Sequence, residues 1–194
     1  MEQIRVHGRG GQGVVTAAEL IAIAAFFEGR EAQAFPNFGV ERTGAPIQAF
    51  ARISDQAIIV REQIYRPTVL IIQDSSLINT ADVFAGSDKN TKIIINAPDS
   101  HRQKLKTPSR HIYFSPATAI ALKIFGKNIV NTVILGAFAR YTGLISLESL
   151  EKAVRVKFAS KGPEIIKKNI IAIEQAYRTD LSPDIINQLT AGRD

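Results

Sequence analysis

Gly8, Gly10 and Gly13 stand at G-x-G-x-x-G spacing between a short apolar run, Ile4-Arg5-Val6-His7, and a longer one that begins at Val14. Glycines so spaced let the backbone turn tightly and approach a ligand closely. The N–H groups at the start of the following helix then face a phosphate. Dinucleotide-binding turns use this pattern. Their adenosine-binding form also places an acid at the end of the second strand, to hold the ribose hydroxyls. Here that strand ends Ala34-Phe35-Pro36, and Glu31 lies at its beginning. No Gly-Lys-Ser/Thr follows, which excludes a Walker-type loop. A glycine turn that only lets a helix pack on a strand has the same spacing, so both readings stand at this point.

No other constellation reaches catalysis. Ser75 and Ser76 form no nucleophile elbow with His101 or His111, and carboxylates do not recur at spacings that pair them on one face. Asp74 follows a buried strand, where open α/β sheets often place functional groups, although an Asp that caps a loop fits there equally. With no cysteine, the chain has no disulfide, no thiol nucleophile and no thiolate-held iron–sulfur cluster. Three scattered histidines make no metal site.

The elements that must position the turn follow from periodicity. Ile4–His7 reads as a strand, and a helix from about Gln12 to Glu28, apolar almost all round, should be deeply packed and end at Gly29. Ala32–Phe35 then closes a β-loop-α-β unit of parallel-crossover size. Residues 36–46 form a long loop with two Gly, two Pro and an Asn, a length that favours a working role. Ile47–Ile53 alternates as a strand does. Thr68–Ile72, Lys92–Asn96 and His111–Phe114 are β-branched apolar runs of the kind parallel sheets bury on both faces. The remainder is helical. Ser115-Pro116 should cap one helix that ends before Gly126, and Asn131–Thr142 should be stopped by Gly143. Ser146 should cap a third helix with Glu148 and Glu151 near its positive end, and Gly162-Pro163 should open a fourth, to about Arg178. The expected fold is one α/β domain over residues 1–180, mostly parallel, with helices on both faces, followed by a polar tail at 181–194.

A 45% apolar and 22% charged chain is globular rather than disordered. Of the net charge of +6, most arises in residues 101–150, which hold seven Lys/Arg against one Asp/Glu. Arg102, Lys104, Lys106 and Arg110 are not interleaved with aromatics, so nucleic acid is not expected. A solvated loop, an acidic partner subunit or a phosphate-bearing ligand accounts for them. Val14–Phe27 is too short for a bilayer and carries Glu19, and the N-terminus has no signal-peptide profile; no membrane contact and a cytoplasmic location are expected.

Four ordered blocks carry a resemblance. His7-Gly8-Arg9-Gly10-Gly11-Gln12-Gly13 with Val15–Glu19, Ala32 to Pro46, Asn128–Thr132 with Leu135–Ala139, and Leu144–Ala153 together resemble the gamma subunit of pyruvate:ferredoxin oxidoreductases, over nearly the whole chain. The resemblance implies a Rossmann-like subunit of a multi-subunit 2-oxoacid:acceptor oxidoreductase. Such enzymes decarboxylate a 2-oxoacid on thiamine diphosphate, pass electrons through [4Fe-4S] clusters to ferredoxin or another acceptor, and release an acyl-CoA. The Gly-Asp-Gly…Asn-Asn pattern expected for magnesium and thiamine diphosphate is missing, so those groups and the clusters belong to alpha-, beta- and delta-type partner chains, and the isolated chain is expected to be inactive. In related single-chain enzymes the equivalent domain is associated with coenzyme A. Carried here, that role gives Gly10, Gly11, Gln12 and Gly13 as donors and Arg42 and Thr43 as contacts to phosphate or pantetheine, with Asn37 of the same loop counted with them. The alternatives are an interface subunit whose turn binds nothing, or a stand-alone nucleotide-binding protein. Pyruvate is the default substrate, with phenylglyoxylate and 2-oxoisovalerate open.

Overall fold

The computed structural model describes residues 1–37, 43–97 and 106–179. The expected polar tail at 181–194 lies outside them. Six strands form one sheet: β1 (Glu2–Arg9), β2 (Glu31–Pro36), β3 (Pro46–Ser54), β4 (Val69–Ile72), β5 (Lys92–Asn96) and β6 (His111–Ser115), in the order β2-β3-β1-β4-β5-β6. β1, β4, β5 and β6 are mutually parallel. β3 runs antiparallel between β1 and β2, pairing Glu2 with Ile53 and Arg9 with Pro46. The first crossover, through helix α1 (Val14–Phe27), therefore lands one strand beyond β1's neighbour. β3 takes the intervening place because its interior residues Ala49 to Ser54 are buried on both faces and so need pairing on both edges.

Alternation sorts the sheet residues. Ile4, Val6, Ala49, Ala51, Ile53, Val69, Ile71 and Ile94 join one core with residues from α1, α2 (Ala117–Phe125), α3 (Val133–Thr142), α4 (Leu147–Lys157) and α5 (Pro163–Arg178). The other face carries Leu70, Ile72, Ile93, Ile95 and Phe114, packed with Leu77 and Val83. Among the described residues its cover is a 3₁₀ turn at Ser75–Asn79 and loop backbone, not the α-helices expected there. The polar β4–β5 connection, rich in Asp, Ser, Asn and Gly, explains this: its side chains bond the local backbone instead of supporting a helix. Two buried arginines pin these loops. Arg5 donates to the carbonyls of Ile64, Val83 and Ala85. Arg52 donates to those of Val60 and Glu62 and lies 5.0 Å over the Phe35 ring.

α1 buries Ala17, Ala18, Leu20, Ile21, Ala24 and Ala25 as its composition predicts, but its last turn leaves Phe26 exposed. Among the described residues, no helix is long and apolar enough to cross a membrane. α2 starts at Ala117 with Pro116 as its cap, one residue later than expected. Ser115 is still in β6, paired with Asn96, and its carbonyl accepts from Ala97 N–H. α4 is capped by Ser146, whose Oγ accepts from Ser149 N–H at 3.1 Å. Glu148 sits in its first turn, whereas Glu151 lies a turn further on. There burial and the nearby Glu174 hold the Glu151 carboxyl above its usual range, so it draws no help from the helix end.

Candidate functional site

The carboxyl edge of β1 runs straight into the glycine turn. Gly13 adopts φ 68°, a left-handed conformation that glycine takes without strain, and caps α1 with no side-chain bond. Among the described residues, the helix thus opens with no side-chain cap on its first N–H groups. Gly8 is held to its type by space: a Cβ there would stand 2.5 Å from Val14 Cγ2.

The turn is braced from two sides. Gly10 N–H donates to Ala45 O at 2.9 Å, Gly44 N–H donates to Gly10 O at 3.1 Å, and Gly10 and Thr43 form a bridge. The described end of the long loop is therefore stitched to the glycine turn, as a shared site requires. From the other side, the Arg9 guanidinium donates to Asp74 Oδ2 (3.0 Å), Gly44 O (3.0 Å) and Ser76 Oγ (2.8 Å). One cation so ties the turn, the loop and the 3₁₀ turn together. Gln12 links the same groups, accepting from Arg9 N–H at 2.8 Å and donating to Asp74 at 3.2 Å.

Asp74 caps the 3₁₀ turn by accepting from Ser76 N–H, the loop-capping role that its position allows. Burial acts to raise its carboxyl, but hydrogen bonds from Ser76, Gln12 and Arg9 outweigh this and hold it below the usual range. Beneath the turn, His7 is almost wholly buried and accepts from Arg5 Nε at 3.0 Å. Burial, aided by the Arg5 charge, pushes the imidazole down to about 3, so it is neutral at physiological pH.

Beside the turn lies a cleft of about 410 Å³ at the carboxyl ends of the parallel strands. Gln12, Gln73, Asp74, Asn96, Thr118 and Asn128 supply its polar lining, and Ala97, Pro116, Ala119 and Leu122 its apolar walls. Open α/β sheets receive ligands at this edge. Asn96 fixes the wall by donating to Gln73 O (2.8 Å) and Thr118 Oγ1 (2.9 Å) and accepting from Thr118 N–H (3.0 Å).

Of the residues singled out from the sequence, Gly10, Gly11, Gln12, Gly13 and Thr43 come together, and Gln12 lines the cleft. Asn37 does not join them; its Oδ1 accepts from Gln63 Nε2 at 2.6 Å. Arg42 lies outside the described residues, as do Arg102 and Lys104, while Lys106 and Arg110 are exposed. Gln73, Asn96 and Thr118 were missed. Their signal was a polar residue closing each buried strand run, as in Ile72-Gln73 and Ile95-Asn96.

Comparison with known proteins agrees with this architecture. The family profile described as pyruvate ferredoxin/flavodoxin oxidoreductase matches residues 3–179. The chain is 47% identical over 180 residues to the pyruvate/ketoisovalerate oxidoreductases common subunit gamma of Thermococcus litoralis, covering 91% of this chain and 96% of the relative. It is 48% identical over 178 residues to the pyruvate synthase subunit PorC of Methanocaldococcus jannaschii, with the same coverage. The crystal structure of pyruvate oxidoreductase subunit PORC from Thermotoga maritima superposes with TM-score 0.78 at 36% identity, over 91% of this chain and 94% of that one. The 2-oxoglutarate:ferredoxin oxidoreductase from Magnetococcus marinus, solved with 2-oxoglutarate, coenzyme A and succinyl-CoA, shares the fold over 90% of this chain. The match spans 30% of that protein, at TM-score 0.71 and 22% identity.

Proposed function

This chain belongs to the pyruvate ferredoxin/flavodoxin oxidoreductase family as the gamma-type subunit of a multi-subunit 2-oxoacid:ferredoxin oxidoreductase, and on that premise we propose that its own task is to help bind coenzyme A. The observation that carries the proposal is the glycine turn. The uncapped start of α1 opens beside the 410 Å³ cleft, with Thr43 of the long loop bridged to Gly10.

Each part has a role in that reading. The first N–H groups of α1 and its dipole favour a phosphate. Arg9 holds loop and turn in one arrangement, its charge matched by Asp74. Ala97, Pro116, Ala119 and Leu122 offer apolar walls to an uncharged part of the ligand. Bound there, coenzyme A supplies the thiol that accepts the acyl group. Having no cysteine, the chain leaves thiolate-held clusters to other subunits. Thiamine diphosphate, magnesium and [4Fe-4S] clusters are assigned to alpha-, beta- and delta-type partners, with ferredoxin or another acceptor beyond them. The complex works in the cytoplasm in this reading. Pyruvate is the proposed 2-oxoacid, supported by the names of the relatives.

A second reading, a subunit that only joins its partners, is favoured by one observation: Phe26 is 73% and Ile59 86% exposed. Kinetics separate the two. In the assembled complex, disrupting the turn should raise the KM for coenzyme A while leaving coenzyme A-independent, 2-oxoacid-driven electron transfer intact. A pure interface subunit would lose both together, through failed assembly.

A further inference from the structure

The helix-facing residues at the carboxyl edge form one transverse row. His7 pairs with Ile72 and Ile72 with Ile95, so the next residues, Gly8, Gln73 and Asn96, continue side by side, and Asn96 pairs with Ser115. In this row Asn96 is fully engaged with Gln73 O and Thr118. Gln73 is not. The residue is 1% exposed and lines the cleft, yet among the described residues neither Oε1 nor Nε2 has a hydrogen-bond partner, and Ser115 Oγ further along the row is buried and unpartnered too. Buried polar groups are paired as a rule, and an amide with both ends unpaired at a cleft wall points to a ligand that completes it. Gly8 makes room for it, since a Cβ there would lie 3.2 Å from Gln73 Oε1. The main chain of Gln73 is meanwhile fixed, donating to His7 O and accepting from Asn96.

We propose that Gln73 reads the amino-purine edge of an adenine ring held between the apolar walls of this cleft. The proposal rests on the coenzyme A reading and assigns the adenine end of that ligand to these residues. A carboxamide offers one donor and one acceptor on the same edge, and adenine offers the complementary pair at its N6 amino group and adjacent ring nitrogen. The trans amides of pantetheine show their N–H and C=O on opposite sides and cannot meet both atoms at once. Among the described residues no Lys or Arg lines the cleft, and Asp74 is engaged with Arg9, Gln12 and Ser76, which suits a neutral group. Rotation about the χ bonds of Gln73 brings its amide to the base while the backbone stays fixed.

The test uses the assembled complex and three thiols: coenzyme A, its 1,N6-etheno analogue, in which the purine edge is blocked, and 4′-phosphopantetheine, which has no purine. Gln73→Leu should raise the KM for coenzyme A about tenfold or more, the value of one bidentate base contact. It should abolish the preference for coenzyme A over the etheno analogue and leave 4′-phosphopantetheine unchanged. Gln73→Glu keeps the size and one acceptor but loses the donor, and should give the same pattern should the leucine variant fail to assemble. An unchanged preference, or equal losses for coenzyme A and 4′-phosphopantetheine, would overturn the assignment. Gly13→Ala separates the two levels. If it raises the KM for all three thiols while the Gln73 variants keep the preference, only the adenine assignment falls. If neither change affects any thiol, the coenzyme A reading falls as well.

Discussion

Arg9 and Asp74 meet at 3.0 Å across the carboxyl ends of β1 and β4, the arginine also holding Gly44 O and Ser76 Oγ. Both side chains are less than one third exposed, and the pair is the clasp that keeps the long loop on the glycine turn. Asp74→Asn should lower stability by about 1–2 kcal/mol, the scale of a charge-assisted hydrogen bond. Because the folded-state carboxyl lies below its usual value, its contribution is present above the unfolded pKa and disappears as pH falls through the folded one. Denaturant midpoints of the two proteins should therefore differ at pH 7 and converge in strong acid; a constant offset across pH would contradict the ion pair.

His7 sets a second pH dependence, of opposite chemical origin. Its folded pKa of about 3 lies below the unfolded value of 6.5, so the unfolded chain binds the extra proton between the two. Stability from this group is complete above pH 6.5 and declines as pH falls toward 3, by roughly 1.4 kcal/mol per pH unit within that window. His7→Gln, which cannot take up a proton, should show a flatter stability profile between pH 6.5 and 5 in urea titrations. An identical slope in both proteins would show that His7 is not buried in neutral form.

The crossing of α3 and α5 turns on Gly136. A Cβ at that position would stand 2.1 Å from the Ile173 carbonyl oxygen and 2.8 Å from Tyr177 N. Ala is the better helix former, so propensity alone argues for stabilisation. Overpacking against backbone should win, and Gly136→Ala should cost about 1–3 kcal/mol. A melting temperature equal to or above the parent's would mean that the helices separate without penalty.

Arg52 should act as the anchor of the 55–66 segment. Its guanidinium donates to the carbonyls of Val60 and Glu62, with Gln33 Oε1 as a further acceptor. Arg52→Met fills the same space over Phe35 but donates nothing. Amide hydrogen exchange should rise in residues 56–64 and stay unchanged in β4 and β5; no local change would remove the anchoring role.

Most of the fold was legible because its signals are local. β-branched runs ended where β4 and β5 end and one residue short of the end of β6, Gly143 stopped α3, and Ser146 capped α4. What escaped depended on distant partners. Nothing in Ile47–Ile53 itself says that this segment inserts between β1 and β2, since Phe50 and Arg52 are covered by Phe35 of β2 and by the backbone at Val60 and Glu62. The loop cover of the second face escaped for the same reason: connections can cover a sheet when buried Arg5 and Arg52 bond their carbonyls. At the site the glycine turn was readable from spacing. The place of Gln73 at the end of a buried run was readable too, but its importance was not, because that lies in having no partner, which only the packed structure reveals.

The central claim, that this subunit's turn and cleft bind coenzyme A, is tested most directly by steady-state kinetics of the reconstituted complex carrying Gly13→Ala. A methyl group there would meet Asn131 Nδ2 at 2.4 Å and strain a backbone at φ 68°, shifting the start of α1. The account predicts a KM for coenzyme A raised about tenfold or more, the equivalent of one charge-assisted contact, with pyruvate-dependent electron transfer measured without coenzyme A near the parent rate. An unchanged KM in a fully assembled complex, or equal loss of both activities, would contradict it.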